Sequence, residues 1–348
     1  MENRQVKMGV IGASPSMGIK HIRSVASHPK MEITAVCDKN EEYLRKAGEE
    51  SGCKNLYTDW RDLLANPEVE AVVVCVPDSL HEEVTAAALA AGKHVLCEKP
   101  MALTLEECDR MREAEKKYGK KLMVGQICRY APAFKLTKEL IARGEIGELY
   151  YVESEYAHDY LEARGVDDWR VDPRREPYIG GGCHAVDLLR WIAGDPTEIT
   201  AYSNHKCLTD WPVNDCTISI LRFPNNVIGK VFVSIGCKRD YTMRSVFYGT
   251  KGTIICDNKT PHITIYKDDL SGKDAIFPRN TKTIPIQLPV VLADHNTYGE
   301  LESFADSILN DTDVPTSSYE GECTVAVCIS AMESAKTGKP VVIRYPQK

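Results

Sequence analysis

Short apolar runs alternate with amphipathic stretches through the first part of the chain, the pattern that a parallel sheet wrapped by helices requires. Val6 to Ile11 reads as a first strand and Gly18 to Ala26 as the helix behind it. Ile33 to Cys37 reads as a second strand, followed by a charged helix from about Glu41 to Glu50 and a weaker strand near Asn55 to Tyr57. Ala71 to Val76 is an unbroken apolar run of the fully buried kind, and the alanine-rich stretch Glu82 to Ala91 has helical composition. His94 to Cys97 is the next strand. Thr104-Leu105-Glu106-Glu107 has capping-box spacing and starts a helix running to about Tyr118, and Leu122 to Val124 closes the sheet. The pattern predicts an α/β, doubly wound domain over residues 1–125 with a boundary near Gly125.

Beyond that point the grammar changes. Gly147 to Tyr156, Thr217 to Phe223, Val227 to Ile235, Ser245 to Tyr248 and Thr253 to Cys256 are β-rich runs separated by turn signals such as Pro224-Asn225-Asn226 and Gly249-Thr250-Lys251-Gly252. Hairpins replace crossovers, so residues 126–348 are expected to form an α+β domain with a large, mainly antiparallel open sheet. Two helices are expected near its end, Gly299 to Leu309 and Glu320 to Lys336, and then a closing strand, Val341 to Arg344.

Length and composition agree with two ordinary globular domains: 348 residues, 43% hydrophobic and 27% charged. A net charge of −7 with no dense Lys/Arg cluster argues against nucleic acid. The thirteen cysteines are scattered with no Cys-x-x-Cys pair, which suggests buried thiols in a reducing compartment and no metal site. No segment has the apolar length to span a membrane, and the polar start Met1 to Lys7 runs straight into Met8 to Ile11, unlike a signal peptide. The expectation is a soluble cytoplasmic protein.

Val10-Ile11-Gly12-Ala13-Ser14-Pro15-Ser16-Met17-Gly18 combines a strand, a glycine turn and a helix start. In a dinucleotide fingerprint one glycine permits the tight turn and another lets helix and strand pack closely, roles open to Gly12 and Gly18. The loop is one residue longer than the usual spacing. Ser14 stands where the middle glycine is expected, so the hydroxyls of Ser14 and Ser16, with the helix start at Met17, would help to hold phosphate. A plain surface turn is the competing reading. Asp38 ends the second strand where a carboxylate can accept from ribose hydroxyls; that favours NAD over NADP, although Lys39 leaves NADP open, and a helix N-cap would also explain an Asp there.

Lys99, in Cys97-Glu98-Lys99-Pro100, lies past the C-terminal end of a predicted central strand, where open α/β sheets bind ligands. Oxidising a secondary alcohol releases a hydride from carbon and a proton from oxygen. A lysine serves such a reaction as a base, if burial or nearby positive charge keeps it neutral, or as a cation that stabilises the alkoxide. The second candidate is Gly180-Gly181-Gly182-Cys183-His184-Ala185-Val186-Asp187, where three glycines open a helix and His184 and Asp187 share one face. The helix start disfavours imidazolium, which suits His184 to a base or relay; simple packing of His184 and a dipole role for Asp187 explain the segment equally well. Cys183, His184 and Asp187 crowd one turn and are poorly placed to surround a metal.

These motifs together, with Val76-Pro77 and His81, Trp169-Arg170 and Gly249-Thr250-Lys251-Gly252-Thr253, resemble the glucose–fructose oxidoreductase/inositol dehydrogenase/rhizopine-catabolism (Gfo/Idh/MocA) oxidoreductases over nearly the whole chain. The resemblance implies an N-terminal Rossmann domain and a C-terminal α/β domain whose open sheet commonly serves substrate binding and oligomerisation, hence a homodimer or homotetramer. It implies that Lys99 and His184 are catalytic, that Pro77 and His81 lie along the cofactor and Glu98 near its ribose, and that Arg129 and Trp169-Arg170 border a carbohydrate or polyol site. Tyr156, His158 and His295 are further lining candidates. Many members carry Asp where this chain has Gly180, so a substrate-orienting carboxylate is either missing or supplied from elsewhere, with Asp167, Asp168 and Asp187 as the candidates. The expected activity is NAD(P)-dependent hydride transfer at a secondary hydroxyl or ketone of a sugar, cyclitol or glycoside. A glycosidase that retains its NAD would hydrolyse substrate without net cofactor change, and a sugar- or nucleotide-sensing regulator would bind without turnover.

Overall fold

The computed structural model describes residues 4–268, 283–293 and 295–348; within these, the side chains of Val166, Asp167, Asp268 and Ile284 lie outside the description. The chain forms two compact units, one of Met1–Ile127 with Asn296–Ala326 and Tyr345–Lys348, the other of Cys128–His295 with Val327–Arg344.

The first unit follows the alternation read from the sequence: β1 (Val6–Ile11), α1 (Met17–Ser27), β2 (Met31–Cys37), α2 (Glu41–Ser51), β3 (Leu56–Tyr57), α3 (Trp60–Ala65), β4 (Ala71–Val74), α4 (His81–Ala90), β5 (His94–Glu98), α5 (Leu105–Tyr118) and β6 (Leu122–Gly125). All six strands are parallel in the order β3-β2-β1-β4-β5-β6. The order reverses between β1 and β4, which opens a crevice at the C-terminal strand ends. Every residue of β4 is buried, as its unbroken apolar run requires for a strand covered on both faces. The short helix α3 has no counterpart in the sequence reading; its six residues are too few to show a helical period.

At α5 the capping box is complete. The Thr104 hydroxyl accepts from Glu107 N at 3.1 Å, and Glu107 Oε2 accepts from Thr104 N at 3.1 Å and Leu103 N at 3.0 Å. These contacts fix the turn that follows Lys99 and Pro100.

The second unit begins with α6 (Pro132–Ala142) and β7 (Leu149–Ala157), then α7 (Pro177–Gly180), α8 (Cys183–Ala193), β8 (Glu198–Asn204), β9 (Cys216–Arg222), β10 (Ile228–Ser234), β11 (Thr242–Gly249), β12 (Gly252–Asp257), β13 (His262–Asp268) and β14 (Thr283–Pro289). The C-terminal segment contributes α9 (Thr297–Leu309) to the first unit, α10 (Ser318–Thr337), which passes from one unit's residues to the other's, and β15 (Val341–Val342) to the second. The sheet order is β14-β13-β12-β11-β7-β10-β9-β8-β15. It is mainly antiparallel as expected, but its centre is not a hairpin: β7 pairs with β10 in parallel, from Tyr151 opposite Ile228 to Ala157 opposite Ser234. Strand composition alone does not distinguish the two arrangements. The helix α6 and strands β8, β13 and β14 are also additions to the sequence reading; Pro132 at the start of α6 fits a first helical turn, where its missing N–H is not needed.

Thr104→Ala is expected to destabilise the protein by about 1 kcal/mol, read as a lowered urea midpoint. Because the two side chains form one reciprocal cap, Thr104→Ala/Glu107→Ala should cost less than the sum of the single changes.

Candidate active site

In the first unit the candidate residues gather along the C-terminal edge of the parallel sheet. Gly12 follows β1 with φ +100, and a Cβ there would lie 2.4 Å from the Cys75 carbonyl oxygen. A Cβ on Gly18 would lie 2.2 Å from the Gly12 carbonyl oxygen. Neither position admits a side chain, so the longer loop still brings α1 hard against β1. Ser14 Oγ and Ser16 Oγ lie 3.1 Å apart, and Ser14 O accepts from Ile19 N at 3.1 Å. No side chain caps the eleven-residue α1 at Ser16, and the first amides of a helix, which lack partners within it, suit an anion. This cradle fits a dinucleotide pyrophosphate.

Asp38 Oδ2 accepts from Ala13 N at 2.6 Å and Oδ1 from Asn40 N at 2.8 Å. The carboxylate therefore ties the ends of β1 and β2 together, and each oxygen has a second lone pair for a ribose hydroxyl. The cap of α2 is Asn40, which accepts from Glu42 N and Tyr43 N, so capping does not account for Asp38.

Beyond β4, Pro77 leads into the turn that starts α4. His81 is buried with Nδ1 2.7 Å from Pro100 O and Nε2 3.1 Å from Val76 O. Two carbonyls at the two ring nitrogens call for two N–H groups. Burial opposes the charged ring, but Cys97, Asp78 and the Pro100 carbonyl outweigh it and raise the His81 pKa to about 10. His81 thus clamps the backbone of the Lys99–Pro100 turn.

Glu98 ends β5 and is 6% exposed. Its Oε1 receives His21 Nε2 at 2.8 Å, and its Oε2 accepts from Lys99 N at 3.2 Å. Burial raises its pKa, but His21 and Lys99 outweigh that and hold it below the usual carboxylate range. Lys99 itself is half-buried at the strand end. His21, on the buried face of α1, and Glu300, in the first turn of α9, complete this corner and were not singled out from sequence. Among the described residues, His21, Cys75 and Glu98 are also the group whose ligand atoms approach within 4.8 Å of one another.

The second unit holds the other candidates. His184 opens α8 and is 2% exposed, with Nδ1 3.4 Å from Cys128 Sγ and its ring stacked on Tyr156 at 6.2 Å between centroids. The Tyr156 hydroxyl bonds that of Tyr160 at 2.7 Å and meets His158 Nδ1 at 3.4 Å. Tyr241 packs edge-on to Tyr156, and His295 edge-on to His184. Six rings with polar tips, Tyr156, His158, Tyr160, His184, Tyr241 and His295, therefore converge. Of these, sequence reading overlooked Tyr160 and Tyr241, which stand in no motif. Gly181 makes the approach feasible: a Cβ there would lie 2.4 Å from Tyr156 Cε1.

Asp187 is buried, and Arg129 grips it with Nε to Oδ2 at 2.8 Å and Nη2 to Oδ1 at 2.7 Å. At Gly180 a Cβ would lie 2.4 Å from Arg175 Cζ, and Arg175 Nη2 donates to the Gly180 carbonyl at 3.1 Å. A buried guanidinium fills the space where an aspartate would stand. Asp168, at φ +55, pairs with Arg164 at 2.9 Å. Arg170 covers Trp169 at 4.4 Å and reaches Tyr160 at 6.0 Å.

Removing one partner of a buried, bidentate ion pair strands the other charge. Arg129→Ala is expected to cost about 3–5 kcal/mol of stability by urea unfolding, and Arg129→Met/Asp187→Leu much less.

Residues 6–126 match the oxidoreductase family described by its NAD-binding Rossmann fold, and residues 134–255 match the GFO/IDH/MocA C-terminal domain. Inositol 2-dehydrogenase 2 of Saccharopolyspora erythraea is 31% identical over 253 residues, covering 72% of each chain. Myo-inositol 2-dehydrogenase of Thermotoga maritima is 29% identical over 287 residues, covering 78% of this chain and 81% of its own. The solved structure of a levoglucosan dehydrogenase in complex with NADH superposes with a TM-score of 0.86 at 22% identity, over 99% of this chain and all of the other. With a glycine cradle at the strand reversal and both halves of the chain matched, the protein belongs to the Gfo/Idh/MocA family of NAD-binding oxidoreductases.

Proposed function

We propose that the protein is an NAD-dependent dehydrogenase that passes a hydride between nicotinamide and a secondary hydroxyl, or the matching ketone, of a sugar, cyclitol or glycoside. The observation that carries this reading is the position of Lys99. It leaves the C-terminal end of β5 on the sheet edge that also holds the Gly12–Gly18 cradle, and its turn is clamped by His81 and Glu98.

The first unit would hold the cofactor, with the pyrophosphate against Gly12, Ser14, Ser16, Met17 and Gly18, the adenosine ribose on Asp38, and Pro77 and Glu98 along the nicotinamide half. A carboxylate at Asp38 repels a 2′-phosphate, which supports NAD over NADP. The nicotinamide ring, when bound, supplies the hydride acceptor. Lys99 acts as the cation that polarises the hydroxyl and stabilises the alkoxide, and His184 takes the proton, its ring aligned by Cys128 and Tyr156. Tyr156 and Arg170 belong to the aromatic cluster suited to the face and hydroxyls of a sugar, while Arg129 and Asp187 hold α8 from behind. Relatives named as inositol dehydrogenases support the substrate class.

A panel of sugars and polyols with NAD and NADP, followed by reduced nicotinamide, tests this. Lys99→Ala and His184→Ala should each lower kcat by about a hundred- to ten-thousand-fold; wild-type turnover by the Lys99 variant would overturn the mechanism.

One face of the second unit's sheet exposes Tyr202, Ile218, Ile220 and Ile228, with half-buried Phe232 opposite Ile218 on the neighbouring strand. Such a patch on a sheet face favours self-association. Light scattering on wild type should show a homo-oligomer that Ile220→Lys shifts towards monomer.

A further inference from the structure

His21, Cys75 and Glu98 come from three separate segments of the first unit: α1, the turn after β4 and the end of β5. They offer an imidazole nitrogen, a thiol sulfur and a carboxylate oxygen, and these ligand atoms lie within 4.8 Å of one another. No short spacing in the sequence announces the group, because the parallel sheet assembles it. Its burial is unlike that of an acidic surface patch: His21 has no exposure, Glu98 has 6%, and Cys75 is half-buried.

Two side chains of this unit carry buried polar atoms without a hydrogen-bond partner. They are His21, at Nδ1, and Glu300, at both carboxyl oxygens; Glu300 stands unexposed in the first turn of α9, a helix that packs on α1 and β1. Orphaned atoms of this kind point to a bound water or ion. Burial, and then the Glu98 charge, push the Glu300 carboxyl well above its usual range, so the surroundings of Glu98 are short of positive charge.

We propose that His21, Cys75 and Glu98 form a zinc(II) site with water in the fourth position. Nitrogen, thiolate sulfur and carboxylate oxygen together select a borderline-soft ion over calcium or magnesium. Zinc bonds of about 2.0–2.3 Å set tetrahedral ligand atoms about 3.3–3.8 Å apart, so shifts of about an ångström bring this set onto the metal. The 2.8 Å His21–Glu98 contact is the metal-free state of the site. Coordination replaces the Sγ–H bond of Cys75 with an Sγ–zinc bond and releases the proton to solvent. The metal cross-links the segments that carry the Gly12–Gly18 cradle, Pro77 and Lys99. A buried water held by the same groups is the rival occupant. The site does not rest on the function proposed above, since it is read without cofactor or substrate.

Full-length protein, stripped of metal by a chelator and with its thiols reduced, is titrated with cobalt(II), whose tetrahedral thiolate complexes are coloured. One equivalent should bind with a thiolate-to-cobalt charge-transfer band, and zinc should displace it. Cys75→Ala should remove the band and weaken binding by about a hundredfold or more, beyond what loss of an outer partner of a metal site costs. Cys207→Ala, at an exposed cysteine, should change neither. Calorimetry in two buffers of different ionisation enthalpy should show one proton released per zinc. Absence of stoichiometric cobalt from wild type overturns the proposal in favour of the water, and a band that survives Cys75→Ala overturns it by placing the metal elsewhere. If Cys75→Ala does not fold, X-ray absorption on the wild-type cobalt complex decides: a shell of one sulfur with nitrogen and oxygen is expected, and a shell with no sulfur or with several overturns the site.

Discussion

A carboxylate buried at the end of a parallel strand must collect its donors from whatever elements pass over it. Glu98 imposes that requirement on the first unit. It draws the imidazole of His21 down from α1 and the amide of Lys99 back from the turn, so the helix that begins at the phosphate cradle and the strand that ends at the candidate lysine are registered against each other. His81 applies the same constraint from the other side, with both ring nitrogens on backbone carbonyls. The side chain of Lys99 then leaves a backbone held at several points, and a site built on a fixed backbone needs little reorganisation when substrate arrives.

The second unit solves a different problem, which is how to bring polar aromatic groups together in a dry space. Gly181 gives up its side chain to let Tyr156 approach, and Tyr156 in turn supports the His184 ring. Arg129 and Asp187 neutralise each other behind α8 with two short bonds, so that helix carries a buried ion pair without an unpaired charge. Gly180 has a comparable logic. The volume released by the missing side chain is taken by the Arg175 guanidinium, which changes the local charge from what an aspartate at that position would give.

The strand ends are legible in the sequence because strongly periodic or unbroken apolar runs announce them, and Gly12, Asp38, Glu98 and Lys99 follow from those ends by position. The capping box at Thr104 is equally local. What sequence hides is tertiary. An acid in the first turn of a helix reads as a favourable surface charge, and only the packing of α9 on α1 and β1 turns Glu300 into a buried group. His21 is one more polar residue on an amphipathic helix until Glu98 is placed beneath it. Tyr160 and Tyr241 lie in no motif, and both reach Tyr156 only because the residues after β7 and those just before β11 converge.

The parallel pairing of β7 with β10 has a consequence for how the chain reaches this state. Tyr151 finds its partner in Ile228 only after α7, α8, β8 and β9 have been made, and its other edge waits longer still, for β11. During synthesis the central strand of the sheet is thus present early with both edges open. Pairing across such sequence separation is slow, and unpaired edges recruit other chains. Nascent β7 is therefore the segment where assembly of this unit is most exposed to competition from aggregation, and α8, which packs on β7, is the first element available to shield it.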